Sequence, residues 1–416
     1  VLSSLSTFLS CTKQTLQRYL AMLPPLSVLC SDMGLQPALA FMLARPLIRE
    51  ALAKGSAEKA GAYASWYPFS SEFLEQVREM LPESAWVSLT PSMFTMFWVH
   101  NLYDIFVPKQ TYKGEITRLK NQIRQLQDEA SNLQRQSEQG NYSQFSASRV
   151  NPSEAAQEAS KKRKEADRLQ GTLDALEKEQ QVQQEHTRQV LERFEEMKGS
   201  LQSSIKPEHL KGTVDAMIAH CAFPRLILEH ADSLYTSKFF HLLHRLGTPN
   251  FSSLQYYDRM AKDIIPTVYC ITEREASFLG IFLRDTLQVL KRWRFDQEAF
   301  EQEAQSKCGF STNFVSVDDD RATYFDYCRV FGKWNNKIAR VFLNCLASQE
   351  FMEVRCTLII LSNIVQVFPI RKRVGMCILA KLNPLKEDKR QDVKVMANRY
   401  WALLERQKQH MWEDDQ

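Results

Sequence analysis

The chain has 416 residues, 44% of them hydrophobic, with 53 Lys and Arg against 49 Asp and Glu for a net charge of only +4. Such a length suits two or three ordinary domains or one long helical array, and near-neutrality leaves any nucleic-acid contact to local patches rather than a global field. Only 13 glycines are present, few for a fold built on phosphate loops, tight turns or many strands, so the composition favours helices.

Residues 1–107 read as short amphipathic helices punctuated by proline. The run PALAFMLA, Pro37–Ala44, predicts a helix that Arg45-Pro46 should stop or kink, because proline lacks an N–H and crowds the preceding turn. Thr90-Pro91 supplies an N-cap followed by a proline at the first helical position. The stretch SMFTMFWVHNLYDIFV that follows is apolar around most of its circumference, which predicts a helix buried on several sides and ending at Pro108.

Residues 108–203 change character. Tyr112, Ile116, Leu119, Ile123, Leu126, Ala130 and Leu133 alternate by four and three, the seam of a coiled coil. The polar stretch 139–153 ends in Asn-Pro-Ser, a start signal for another helix. Its seam runs Ala159, Lys162, Ala166, Leu169, Leu173, Leu176, then polar Gln180, Gln183 and Thr187, then Val190, Phe194 and Met197. Two heptad helices on a short loop fold back most simply as an antiparallel hairpin. At 1.5 Å per residue their lengths of about 25 and 45 residues span about 38 and 68 Å. The excess seam, Val190, Leu191, Phe194 and Met197, needs a cover from the same chain or a partner.

Residues 204–416 return to helices of ordinary length, expected at 209–220, 233–246, 252–269, 273–293, 321–348, 351–368, 373–382 and 387–410. No strand-like alternation persists, so the fold class is all-α: irregular, solenoid-like helical pairs with an inserted antiparallel coiled-coil hairpin. The domains follow as 1–107, 108–203 and 204–416. The apolar run Thr357–Ile370 is interrupted by Ser362, Asn363 and Gln366 and is too short to span a bilayer, so it reads as a buried helix and no membrane is expected.

The densest collection of reactive side chains is FFHLLHRLGTPNFSSLQYYDRM, residues 239–260. His241 and His244 share a helix face, but with His220, Cys221 and His230 they match no metal spacing, so rim histidines of a helix contact are the preferred reading. Gly247 should end one helix in the left-handed conformation, Pro249 prevent its continuation and Asn250–Ser253 cap the next. Tyr257, Asp258 and Arg259 then read as a structural hydrogen-bonded group. Asp318-Asp319-Asp320 read as charge at the N-terminus of a helix beginning near Arg321 rather than a magnesium site. The nine cysteines form no C-x-x-C pair and suit a reducing compartment. No phosphate-loop, nucleophile-elbow or zinc-protease motif occurs, and neither catalytic residues nor a metal nor a cofactor is expected. The basic runs Lys161-Lys162-Arg163-Lys164 and Arg371-Lys372-Arg373 read first as solvated helix faces; the alternative is a sequence-independent phosphate contact. The start at Val1 is that expected of a piece of a longer protein.

The segment 223–293 resembles the family of largest subunits of the THO complex, which couples transcription to mRNA packaging and nuclear export. Its landmarks are Phe223-Pro224-Arg225, Thr248–Phe251, Tyr257-Asp258-Arg259, Thr272–Ser277 and Arg292-Trp293. The stretches around Lys333-Trp334, at Ala44–Arg49 and from Phe97 into the coiled coil fit the same family, whereas 139–153 and Cys308–Asp320 depart from it. The resemblance implies a nuclear, non-enzymatic scaffold that holds other THO subunits, several of them coiled coils, and helps dock a DEAD-box RNA-dependent ATPase, with RNA contacted indirectly. On that reading the hairpin is the docking element, and nucleic-acid binding by the family's basic tail is not carried over. The rival is an RNA-binding helical adaptor of another nuclear complex.

Overall fold

A computed structural model describes residues 13–55, 58–139, 152–311 and 321–413. Among these the protein is all-α. Extended pairing is confined to two isolated bridges, Ser311 with Arg321 and Arg371 with Trp412. The principal helices are α1 (Lys13–Met22), α2 (Leu26–Ser31), α3 (Pro37–Ala53), α4 (Ser71–Arg78), α5 (Pro91–Val99), α6 (Leu102–Ile105), α7 (Lys109–Gln139), α8 (Pro152–Met197), α9 (Thr213–Met217) and α10 (Phe223–Leu226). They continue with α11 (His230–Leu246), α12 (Ser253–Arg259), α13 (Glu273–Phe295), α14 (Gln297–Phe300), α15 (Tyr324–Leu346), α16 (Phe351–Ile364), α17 (Lys372–Leu385) and α18 (Gln391–Gln407). Packing divides the chain into two units, one of residues 1–102 with 194–416 and one of residues 103–193.

The first unit's early helices show where local rules are overridden. Helix α3 does not stop at Pro46 but continues to Ala53 with Pro46 inside it. A proline in a helix interior costs about 3 kcal/mol, while burying a leucine or isoleucine side chain returns about 1.5–3 kcal/mol each. Leu47, Ile48 and Ala51, all beyond the proline, are fully buried, as are Ala40, Phe41 and Ala44 before it. Packing therefore outweighs the backbone penalty.

Helix α5 is capped as its sequence implies, with Thr90 Oγ1 accepting from Met93 N–H at 3.1 Å. Every residue from Met93 to Val99 is buried. It ends at Val99 rather than at Pro108, because His100 is extended (φ −84°, ψ 160°). The cause lies on α10 and α11. The fully buried Arg225 donates from Nη2 to His100 O at 2.8 Å and from Nη1 to Phe97 O. Tyr235 Oη also donates to Phe97 O, at 2.8 Å. Carbonyls of a last helical turn lack intrahelical partners, and here the guanidinium supplies them. Phe194, at the end of α8, is likewise buried in this unit, 5.0 Å from the His100 ring and 5.9 Å from Phe239. The chain itself therefore covers that part of the long seam.

Farther along, α13 packs against α11 and α16, and α16 against α18. The helix expected at 209–220 is a composite of a 3-10 turn (Pro207–Gly212), α9 and a π turn (Ile218–Ala222). The one expected at 252–269 likewise breaks into α12, a π turn (Met260–Ile264) and a 3-10 turn (Ile265–Tyr269). Both π turns directly precede an X-Pro pair, Phe223-Pro224 and Ile265-Pro266. A wider turn places the carbonyl that would clash with the proline ring elsewhere. Helix α15 begins at Tyr324, not Arg321. Thr323 and Asp326 form a capping box, with Asp326 N–H donating to Thr323 Oγ1 at 3.2 Å. The helix start is thus fixed by Thr323; Asp318–Asp320 lie outside the described residues, as does most of 139–153.

In the second unit the register of α7 against α8 is fixed by side-chain pairs. The Tyr112 hydroxyl lies 2.9 Å from both Glu179 Oε1 and Gln183 Oε1. Lys120 pairs with Glu177 at 2.9 Å, and Lys162 with Glu129 at 2.6 Å. Partners on α8 fall in number as positions on α7 rise, so the two helices run antiparallel. Leu119, Ile123, Ala166 and Leu173 form a buried cluster, with Ile116, Leu126, Leu169 and Leu176 half-buried against it.

Candidate functional site

The histidine-rich corner sits in the first unit. Helix α11 ends at Gly247, whose φ of 63° and ψ of 45° are left-handed, a conformation glycine adopts without steric cost. Ser252 then caps α12 by accepting from Gln255 N–H at 3.1 Å. This turn presses His244 into a nest of rings, 5.1 Å from Trp293 and 5.3 Å from Phe310.

The hydrogen bonds of His244 settle its chemistry. Its Nε2 lies 2.9 Å from Glu303 O, which can only accept, so Nε2 carries the proton. Its Nδ1, 2.8 Å from Ser253 Oγ, then accepts from the hydroxyl. Burial pushes the imidazole down to about 3, so it stays neutral and weakly basic, and its Nδ1 lone pair is taken up by the buried Ser253 hydroxyl. His241, with its ring 6.0 Å away, is pushed down to about 4, again chiefly by burial. Among the described residues no three His, Cys, Asp or Glu side chains gather to hold a metal ion.

Tyr256 and Tyr257 are buried, and burial raises both phenols far from any catalytic range. Asp258 Oδ1 accepts from Trp334 Nε1 at 3.1 Å and pairs with Lys337 at 3.4 Å, while its other oxygen meets Lys262. Partial burial alone would raise its pKa, but these donors outweigh it and hold the carboxyl below its ordinary value. Arg259 pairs with Asp215 at 2.8 Å. His244, Asp258 and Arg259 are thus spent on structural contacts, Asp258 tying α12 to α15 and Arg259 tying it to α9.

Beside this packing lies an open groove of about 990 Å³ on the same unit. Lys211 and Asp215 line it, with Leu254, Asp258 and Arg259 of α12, Lys262 of the π turn that follows that helix, and Val330, Lys333 and Lys337 of α15. Its cations come from three separate stretches of sequence, which is why no run of basic residues announces it.

The seam residues Tyr112, Leu119, Ile123 and Leu173 are buried, while Ile116, Leu126, Leu133, Leu169 and Leu176 are half-buried. Two of the polar positions expected in the seam have backbone partners: Gln183 Nε2 donates to Phe106 O at 3.1 Å and Thr187 Oγ1 to Tyr103 O at 3.3 Å. His186 Nε2 also lies 2.8 Å from Asp104 Oδ1. Burial, with Glu179 beside it, pushes the Tyr112 phenol up to about 12. Of the basic runs, Lys161, Arg163, Lys164, Arg371 and Arg373 are exposed. Lys162 is tied to Glu129, Arg163 to Gln134 and Lys372 to Glu413. No helix among the described residues is long and apolar enough to cross a membrane.

Comparison with known proteins adds an independent line. The family model described as transcription factor/nuclear export subunit protein 2 matches residues 86–404. Over 363 residues the chain is 33% identical to THO complex subunit 2 of Arabidopsis thaliana, an overlap of 87% of this chain and 18% of that protein. It is 28% identical over 419 residues to human THO complex subunit 2, covering 94% of the chain and 24% of the relative. To the Saccharomyces cerevisiae subunit 2 the identity is 21% over 183 residues, 44% of this chain and 10% of that one. The chain spans about a fifth to a quarter of the length of the first two relatives.

Proposed function

The chain belongs to the Tho2 family of transcription and nuclear-export subunits, and from that premise we propose that it is a nuclear, non-enzymatic scaffold segment of a THO complex. Its work is organisation: it fixes the other THO subunits, and with them a DEAD-box RNA-dependent ATPase, at set distances during mRNA packaging and export. We read its helical array as an irregular solenoid and α7–α8 as an inserted coiled-coil hairpin, closed by the seam from Tyr112 to Leu133 and from Leu169 to Leu176. A closed seam leaves the charged outer faces of the hairpin for partners.

The observation that carries this reading is the state of residues 239–260. The one stretch dense in catalytic side chains has both His244 nitrogens and the Asp258 carboxylate committed to structural hydrogen bonds, and its two tyrosines buried. What remains accessible is helix surface, and surface recognises partners. Cross-linking mass spectrometry on the purified complex tests it. The expected result is a reproducible set of links from Lys113, Lys120, Lys164 and Lys178 on α7 and α8 to other subunits. A chain that turns over nucleotide alone, or one that links to no other subunit, overturns the proposal.

A further inference from the structure

We propose that the open groove between α12 and α15 is a docking site for an acidic, aliphatic-rich peptide segment of a partner protein. The proposal rests on the scaffold reading only in assigning the occupant to a partner; the site itself is argued from its walls.

Five cations line the groove, Lys211, Arg259, Lys262, Lys333 and Lys337, against two carboxylates, Asp215 and Asp258. Three of the cations are already engaged: Arg259 with Asp215, and Lys262 and Lys337 with Asp258. Among the described residues Lys211 and Lys333 have no carboxylate partner, and both are exposed. The groove therefore carries excess positive charge concentrated in two ammonium groups at its lip. A concave wall lined by one sign of charge concentrates counter-charged ligands.

The apolar components decide what kind of anion fits. Leu254 and Val330 are half-buried and line the groove, a surface that aliphatic side chains cover favourably. Single-stranded nucleic acid draws much of its affinity from bases stacked on open aromatic faces. Here the one aromatic of the lining, Trp334, is 1% exposed and its indole N–H is bound to Asp258. No ring is left for a base. Carboxylates at Lys211 and Lys333 with Leu, Ile or Val side chains on Leu254 and Val330 use both the ammonium groups and the aliphatic part of the wall, whereas a phosphate backbone uses only the ammonium groups. Charge pairs at such an exposed lip favour encounter rate and partner choice, and they weaken with salt.

The test is fluorescence anisotropy with the intact chain in low-salt buffer. The probes are a labelled peptide of repeated Asp-Glu-Leu units, its Asn-Gln-Leu counterpart, and an oligouridylate of equal charge. The acidic peptide should bind, and the doubly substituted K211Q/K333Q chain should bind it about tenfold more weakly, the loss of two modest charge pairs. K211R/K333R should retain binding, which separates charge from folding, and K381Q, on the exposed face of α17, should leave it unchanged. Equal binding of the neutral peptide, or an affinity indifferent to K211Q/K333Q, overturns the groove proposal. So does oligouridylate binding more tightly than the peptide with the same lysine dependence, which would make this a nucleic-acid site. An intact cross-linking map alongside such a failure would leave the scaffold reading standing and remove the groove alone.

Discussion

Replacement of Arg225 by methionine isolates the force that ends α5 and ties it to α10 and α11. The guanidinium is fully buried and makes a 2.8 Å bond from Nε to Asp232 Oδ1, besides its two bonds to Phe97 O and His100 O. It also stacks 3.7 Å from the Tyr235 ring centroid. Methionine fills much of the volume but leaves the Asp232 carboxylate, 3% exposed, without its cation. Breaking a buried pair by removing one partner costs about 3–5 kcal/mol, because the remaining charge is stranded in a poor solvent. An unfolding entropy of roughly 2 cal/mol/K per residue over a unit of roughly 300 residues makes 4 kcal/mol equal to about 6 °C in Tm. The double variant R225M/D232L removes both charges and should recover most of that loss, since apolar replacements of a whole buried pair are often neutral or better. Differential scanning calorimetry at neutral pH reads both. A loss of under about 2 °C for R225M would refute the reasoning, and so would a double variant as unstable as the single one.

In the hairpin, replacing Leu119 and Ile123 by serine should cost about 2–4 kcal/mol each, and the half-buried Leu126 less; circular dichroism melts of the helix pair would show an unchanged transition only if the seam were misassigned. Acid should destabilise the first unit through His241 and His244. Their folded pKa values, about 4 for His241 and about 3 for His244, lie below the unfolded value near 6.5, so the unfolded chain binds more protons and stability falls as pH drops below about 6.5. At pH about 5 each should account for a loss of about 2 kcal/mol, read as a lower urea midpoint, and His241→Gln should remove its share of that pH dependence. Substituting glutamine throughout Lys161–Lys164 and Arg371–Arg373 should change oligouridylate affinity by less than about twofold at physiological salt; a steep loss with a flattened salt dependence would assign these runs to a phosphate contact.

The parts of the fold visible in the sequence are those whose cause is local. The four-three spacing of α7 fixes which face is apolar, and Gly247 with Ser252 fixes a corner through backbone conformation and capping alone. The break after Val99 has no local signal, because its agent, Arg225, stands far along the chain and reaches back as a side chain. Pro46 misleads for the opposite reason: its local signal is strong, but the penalty is smaller than the burial of the residues that follow it. The π turns before Pro224 and Pro266 have a local signal too, since each proline disfavours an ordinary turn before it.

The same distinction explains why the histidine corner is legible in the sequence and the groove is not. Residues 239–260 are contiguous, so their chemistry can be weighed as one stretch, and their role depends on whether each polar group finds a partner. Asp258 finds Trp334 and Lys337, both on α15, and this pairing pulls the indole inward and leaves the neighbouring ammonium groups around an open wall. The carboxylate, which reads from the sequence as part of a structural hydrogen-bonded group, thus also lines a surface. Removing it should act on that surface first. Asp258→Asn keeps the shape and a Trp334 acceptor but releases Lys262 and Lys337 from their anion, raising the groove's net charge by one. Binding of the Asp-Glu-Leu peptide should then tighten severalfold, the sense expected of modest charge pairs. Weakened peptide binding by a D258N chain whose calorimetric transition is unaltered would mean that the carboxylate itself takes part in recognition, against the account in which it only organises the wall.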